Sequence, residues 1–290
     1  MTPTADEQQR SLHAFVQSLR VMPETAPRLT RRDPAARPDA IHSKSAAKPL
    51  NARIMDDLNQ LQYLLFADQR ASLLIILQGP DASGKDGTIR KVFTGMNPQG
   101  VAVTSFKQPS AEEAAHDFLW RIHKAAPAKG QVAIFNRSHY EDVLIARVRA
   151  LVPEAVWARR FQRINEFEAL LAENGTVILK FFLHLSPEEQ LARFRKRLED
   201  PTRQWKISES DYSERKVWDA YQTAYEEAIA RTSHAHAPWY VIPADRKWVR
   251  NLTVGRIIAD RLAQMDLKTP SPRVDLNEIR RRFHEAARQS

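Results

Sequence analysis

The stretch QGPDASGKDGT, residues 78–88, follows an apolar run, LLIIL at 73–77, and opens a helical segment. Gly79, four residues, Gly84 and Lys85 match the phosphate-loop pattern G-x-x-x-x-G-K-[ST] at every position except the last, where Asp86 stands. Three of the chain's 8 glycines fall within residues 79–87, where a loop must curl its N–H groups around phosphate oxygens. The following helix adds the positive end of its dipole, and Lys85 adds a movable charge. Gly79, Ala82, Ser83, Gly84, Lys85, Asp86 and Gly87 are thus the expected phosphate and nucleotide contacts. A carboxylate beside phosphates is repelled unless a cation intervenes, so Asp81, inside the loop, points to a divalent metal, magnesium by its preference for oxygen ligands. Asp86 has two readings, a metal ligand or a residue that favours the helix N-terminus.

Around the loop, strands and helices alternate. Ile54, Leu58, Leu61 and Leu65 recur at helical spacing before the first strand. VAVTSF at 101–106 reads as a strand, and Ser110 with Glu113 forms a capping box that opens a helix to about Lys124. QVAIFN at 131–136 is a short strand leading into a helix at about 139–150. Trp157, Phe161, Ile164 and Leu171 share a helix face closed by Asn174 and Gly175. TVILKFFLHL at 176–185 and WYVIP at 239–243 are further strands. Ser186, Pro187 and Glu189 start the helix after the first of them as a second capping box, and a helix spans about 246–266. Such alternation predicts an α/β fold of three layers, a mostly parallel sheet between helices. Residues 1–47, with scattered prolines and little periodicity beyond LHAFVQSLRVM at 12–22, read as a mostly irregular basic arm, 48–268 as the P-loop domain and 269–290 as a C-terminal amphipathic helix. Its Leu276, Ile279 and Phe283 are expected to pack on the body or on a neighbouring subunit.

The net charge of +9, from 44 Lys and Arg against 35 Asp and Glu, favours a polyanionic partner, although a solvated basic surface gives the same balance. No apolar run approaches the roughly 20 residues of a membrane span, and the N-terminus lacks the features of a secretion signal. The absence of cysteine excludes disulfides and thiolate metal sites and fits a cytoplasmic location.

A second motif, FNRSHYED at 135–142, ends the strand at 131–136. Ligands of open parallel sheets bind beyond the carboxyl ends of strands, so this motif and the loop should face one crevice. Asn136 stands where many P-loop enzymes place an acid. Arg137 beside it can neutralise transferring oxygens or form a salt bridge to Glu141 or Asp142. His139 reads as a helix-start residue. Residues 193–206 hold six basic side chains against two acidic ones, and Arg193 and Arg197 share a helix face. With Arg203 and Lys206 they are read as a mobile lid, over about 193–216, that closes on phosphates.

Taken in order, the glycine loop, TSFKQPSAEE at 104–113, HDFLWRIH at 116–123, FNRSHYED, DPTRQWKIS and PWYVIPADRKW resemble the polyphosphate kinase 2 family over about residues 50–267. The resemblance implies a P-loop kinase fold with a helical lid, in a magnesium-dependent enzyme that moves phosphate between inorganic polyphosphate and nucleotides through a basic groove. It implies catalytic roles for Asp81, Lys85, Asn136, Arg137 and Glu141, with Asp81 and Glu141 at the metal. Many members of the family carry Asp where this chain has Asn136, and Asn where it has Glu141. The present pair is similar to the class III subgroup, which phosphorylates both nucleoside monophosphates and nucleoside diphosphates. Partners implied are polyphosphate, adenine nucleotides with guanine open, and a homo-oligomer, dimer or tetramer, with no membrane and no nucleic acid. An ATP-dependent nucleoside or nucleotide kinase of the same fold is the alternative, although it calls for Ser or Thr at position 86.

Overall fold

The computed structural model describes residues 3–288, so the first two positions of the expected arm and the last two of the C-terminal segment lie outside it. Helix α1, Ala5–Ser18, leads into strand β1, Arg20–Val21, and then α2, Lys44–Asp68. Next come β2, Ser72–Gln78; α3, Lys85–Val92; β3, Val101–Ser105; the short α4, Ala111–Ala114, and α5, Trp120–Ala125; and β4, Val132–Asn136. After a 3-10 turn at His139–Asp142 follow α6, Ile145–Val148; α7, Glu154–Glu173; β5, Thr176–His184; and α8, Pro187–Glu199. Helices α9, Glu209–Arg215, and α10, Trp218–Thr232, precede β6, Trp239–Pro243; α11, Lys247–Ala263, and α12, Leu276–Ala287, end the fold.

The sheet runs β1-β6-β5-β2-β4-β3, and every pairing is parallel except β1 with β6. All seven residues of β2 are buried, as a central parallel strand covered on both faces requires. On one face α1, α2 and α11 pack with Leu12, Leu58, Leu252 and Ile258 over Leu73, Ile75 and Leu77. On the other, α7 and α10 bring Phe161, Ile164 and Ile229 against Leu74, Ile76 and Phe135. From β2 the chain moves out to β3, returns through β4, and crosses to β5 on the far side. The switch point lies at β2, so the crevice opens where the glycine loop leaves it.

Several expectations need correction. Residues 1–47 are not mostly irregular: Thr4 and Glu7 make a capping box for α1, whose Leu12 and Val16 enter the core, and Val21, Leu29 and Ile41 are buried too. The one-turn spacing of Leu12 and Val16 carried that signal beneath the prolines. The helix expected from Ser110 to Lys124 breaks after Ala114, because Asp117 turns the chain, its side chain accepting from Leu119 N and its carbonyl from Trp120 N. The one expected at 139–150 is split at Val143–Leu144 into a 3-10 turn and α6. Ser186 does cap α8 by accepting from Glu189 N. Its own N–H donates to Asp245, so no reciprocal box forms. Helix α12 forms with Leu276, Ile279 and Phe283 exposed instead of packed on the body. Among the described residues no helix is long and apolar enough to cross a membrane.

Candidate active site

The loop leaves β2 at Gly79, φ +146°, where a Cβ would stand 2.8 Å from the Leu183 carbonyl oxygen of β5. It reaches α3 at Gly84, φ +103°, where a Cβ would meet the Arg250 guanidinium at 1.8 Å. Between them Ala82 holds φ 62°, a left-handed conformation that non-glycine residues adopt at a cost. Lys85, the first residue of α3, folds back over its own loop and donates to the Gly79 and Pro80 carbonyls at 2.7 and 3.3 Å. Burial, assisted by the neighbouring Arg137 charge, pushes its ammonium down to about 8, while Asp81, Glu141 and Asp86 pull it up.

Beyond β4 the backbone turns at Arg137, φ 62°. The guanidinium donates to Asp81 Oδ1 at 2.7 Å and to Glu141 Oε2 at 3.1 Å, so Asp81 and Glu141, expected at the metal, flank one cation. Glu141 above all holds this arginine protonated beyond its ordinary range. Asp142, the other partner considered, pairs with Arg160 instead. Gln78, with its side-chain oxygen towards Ser138, donates to Glu141 Oε1 at 3.0 Å. Asn136 donates to Asp86 Oδ1 at 2.8 Å, and Asp86 Oδ2 lies 3.9 Å from Lys206 Nζ. The side chain of Asp86 therefore joins strand β4 to the lid. Gly84 occupies the cap position of α3 without a side-chain bond.

Among the four cations assigned to the lid, Lys206 reaches Asp86 at the start of α3. Arg203 pairs with Asp200 at 2.8 Å, and Arg197 lies 5.5 Å from the Phe194 ring. Arg193 is buried in the body, a correction to its place on a moving lid. It donates to the carbonyls of Ala82, Ser83, Ala244 and Asp245 at 2.6–3.1 Å and to Glu189 at 2.9 Å. A guanidinium with every donor engaged cannot swing without leaving buried carbonyls unpaired. One turn before it Gln190 donates to the Asp81 carbonyl at 2.9 Å. Gln190 and Arg193 sit three residues apart on the buried face of α8, a pairing the helical spacing could have exposed. Arg250 on α11 was not legible at all, since its partner Ser83 lies 167 residues away.

His139 faces inward, not towards the crevice. Its Nε2 is 3.3 Å from Glu168 Oε1, and Lys180 donates to Glu168 Oε2 at 2.5 Å, to the Tyr140 hydroxyl at 2.9 Å and to the Thr232 carbonyl at 2.6 Å. This wholly buried cluster anchors the residues that directly follow Arg137.

At the carboxyl end of β3 a cleft of about 480 Å³ opens between Thr104–Gln108 and α5. Phe106, Trp120, Arg121 and Lys124 line it, with Trp120 stacked on His116 at 4.1 Å and Lys124 Nζ 4.1 Å from the Trp120 ring centre. Ser105 Oγ, on its rim, lies 3.4 Å from Asn136 Nδ2, which connects cleft and loop.

Comparison with known proteins places this geometry. The polyphosphate kinase 2 family model matches residues 42–270. The chain belongs to that family. The AMP/ADP-polyphosphate phosphotransferase of Meiothermus ruber is 47% identical over 260 residues, covering 90% of this chain and 97% of that one. The ADP-polyphosphate phosphotransferase of Rhodopseudomonas palustris is 44% identical over 245 residues, covering 79% and 85%. The crystal structure of polyphosphate kinase 2 from Arthrobacter aurescens TC1 superposes with a TM-score of 0.89 at 41% identity, covering 93% of this chain and 96% of that one. The resemblance read over residues 50–267 is thus a family relationship, and the three-layer P-loop kinase fold with its mostly parallel sheet is the fold observed.

Proposed function

We propose that this member of the polyphosphate kinase 2 family transfers the terminal phosphoryl group of inorganic polyphosphate to AMP or ADP, giving ADP or ATP. The observation that carries this reading is the convergence of Lys85, Arg137 and the loop amides at the carboxyl ends of β2 and β4, in a chain that matches AMP/ADP-polyphosphate phosphotransferase along nearly its whole length. Phosphoryl transfer asks a protein for positioning and for charge on the equatorial oxygens rather than for a covalent step. The donor's end residue lies on the loop amides and Lys85. The nucleotide enters the cleft beside Trp120, one face of which is covered by His116 while the other opens to the base once Lys124 swings off the ring towards the phosphates, with Arg121 beside it. A terminal phosphate oxygen of the nucleotide forms the new O–P bond as the bond to the bridging oxygen breaks, leaving polyphosphate one residue shorter. Arg137, held between Asp81 and Glu141, faces the charge that spreads over the moving group.

Among the described residues no three His, Cys, Asp or Glu side chains form a ready ligand set. Asp81, Glu141 and the exposed Asp86 nevertheless offer hard carboxylate oxygens around the loop. That suits magnesium, which takes one or two carboxylates and completes its shell with phosphate and water. Bound there, it would neutralise charge on the donor and acceptor oxygens. Cytoplasmic location and a homo-oligomer complete the reading, the latter helped by the exposed apolar side chains of α12.

The test supplies magnesium and AMP or ADP with long-chain polyphosphate as the only donor. ADP and ATP are the expected products; transfer from ATP alone would return the protein to the ATP-dependent kinases. Trp120→Ala is expected to raise KM for AMP and ADP about tenfold or more, from a lost stacking face of about 1–3 kcal/mol, and to leave KM for polyphosphate unchanged. Equal effects on both constants would remove the nucleotide from this cleft.

A further inference from the structure

Arg250, on α11 of the body, is 2% exposed and lies directly beneath the phosphate loop. Its Nη1 donates to the Ser83 carbonyl at 3.0 Å, and its Nε and Nη2 donate to Asn251 Oδ1 at 3.2 and 3.0 Å. Arg193 donates to the same Ser83 carbonyl at 3.1 Å, so two guanidiniums meet on one oxygen. Among the described residues Arg250 forms no ion pair. Arg193 has Glu189, whereas Arg250 has only neutral acceptors. A buried cation without a counter-charge is costly, and folds ordinarily pair such a group or replace it by an apolar one. Burial and the Arg193 charge push this guanidinium down to about 10, which still leaves it protonated at neutral pH.

The loop is shaped around it. A Cβ at Gly84 would lie 1.8 Å from Arg250 Nη1, and one at Gly87 would lie 3.2 Å from Nη2. Two of the three glycines in the motif therefore make room for an arginine underneath, on the side away from the crevice. With the Ser83 carbonyl drawn down to two guanidiniums, the backbone oxygen is kept from the donor's path, where it would repel phosphate.

We propose that Arg250 is a positioning residue for the donor: its unpaired charge, seated where Gly84 and Gly87 leave space, holds the Ser83 carbonyl away from polyphosphate and supplies from below the positive field that draws the polyanion onto the loop. The proposal rests on polyphosphate being the donor bound at this loop. The missing counter-charge is then the substrate itself.

The experiment compares wild type with Arg250→Met, Arg250→Lys and Gly84→Ala, reading KM and kcat for polyphosphate and for AMP, and melting temperature with and without polyphosphate. Arg250→Met is expected to raise KM for polyphosphate about tenfold, the scale of one charge-assisted bond, with KM for AMP within about twofold. Its ligand-free melting temperature should hold or rise, because a costly buried charge has gone, while the rise on adding polyphosphate shrinks. Arg250→Lys keeps the charge and should recover most of that rise. Gly84→Ala, which displaces the guanidinium, should reproduce the higher KM. An unchanged KM and unchanged polyphosphate stabilisation in Arg250→Met overturn the proposal, as does a lower melting temperature with donor affinity intact. Should Arg250→Met not fold, Arg250→Lys and Gly84→Ala decide, and wild-type donor constants in both overturn it. Wild type failing to use polyphosphate would instead overturn the underlying reading of the donor.

Discussion

Lys85→Met is expected to lower kcat by about a thousandfold or more, the scale of losing a positioned cation or hydrogen-bond donor from a transferring group. The substitution keeps an unbranched chain only one atom shorter and its burial, so the fold should survive. Lys85 Nζ now rests on the Gly79 and Pro80 carbonyls, within the bend that a donor phosphate would occupy. The pH dependence provides a second readout. In the folded protein burial holds the Lys85 ammonium at about 8, against an ordinary value of 10.5 in the unfolded chain. Between those values the unfolded chain binds more protons, so through this group stability rises with pH across that window and the penalty is complete below pH 8. Donor binding needs the proton, so KM for polyphosphate should climb as pH rises through about 8, opposite in sign to the stability effect. Steady-state kinetics and thermal melts across pH 7 to 10 check both signs. A flat KM profile, or Lys85→Met within tenfold of wild type, would remove Lys85 from the transfer step.

Lys180→Met should cost about 3–5 kcal/mol of stability, because it leaves the Glu168 carboxylate buried without its cation. Burial alone would raise the Glu168 carboxyl, but Lys180 and His139 overcome it and hold the group below its ordinary value, while burial pushes Lys180 down. The pair is 0% exposed at both ends. Removing Glu168 as well, as Lys180→Met with Glu168→Leu, should recover part of the loss, because the stranded charge goes with it. Urea denaturation of the single and double variants measures this, and a single variant within 1 kcal/mol of wild type would contradict it.

The fold was legible wherever burial shows as a run or a period. LLIIL could only be a strand covered on both faces, and the glycines beside it marked the loop. Lys85, Asn136, Arg137 and Asp81 stood out as candidates because each sits at the end of a readable element. Their mutual contacts were not legible. Nothing local says that Arg137 would take both Asp81 and Glu141, or that Asp86 would reach Asn136, because those distances come from strand order and not from spacing. Arg193 was misplaced for a different reason: charge density reads as solvent exposure until a partner is known, and its partners are backbone carbonyls on two distant turns. Arg250 left no trace in its own segment. Of the N-terminal helix only the apolar half within LHAFVQSLRVM was legible, because residues 5–11 hold no large apolar side chain.

That N-terminal stretch also settles a problem every open sheet has, namely what becomes of its last strand. Arg20–Val21 pairs antiparallel with β6, and Val241 N donates to the Leu19 carbonyl, so the outer hydrogen-bonding groups of β6 are taken by the chain's own beginning. Downstream, Arg32 accepts from His184 and Pro34 accepts from Asp245 N, which ties the same strap to the ends of β5 and β6. Without it, β6 would offer a bare ladder to any passing strand, the usual starting point of edge-to-edge aggregation. The family match begins only at residue 42, yet a shorter chain starting there would keep the residues of the crevice and leave this flank unprotected.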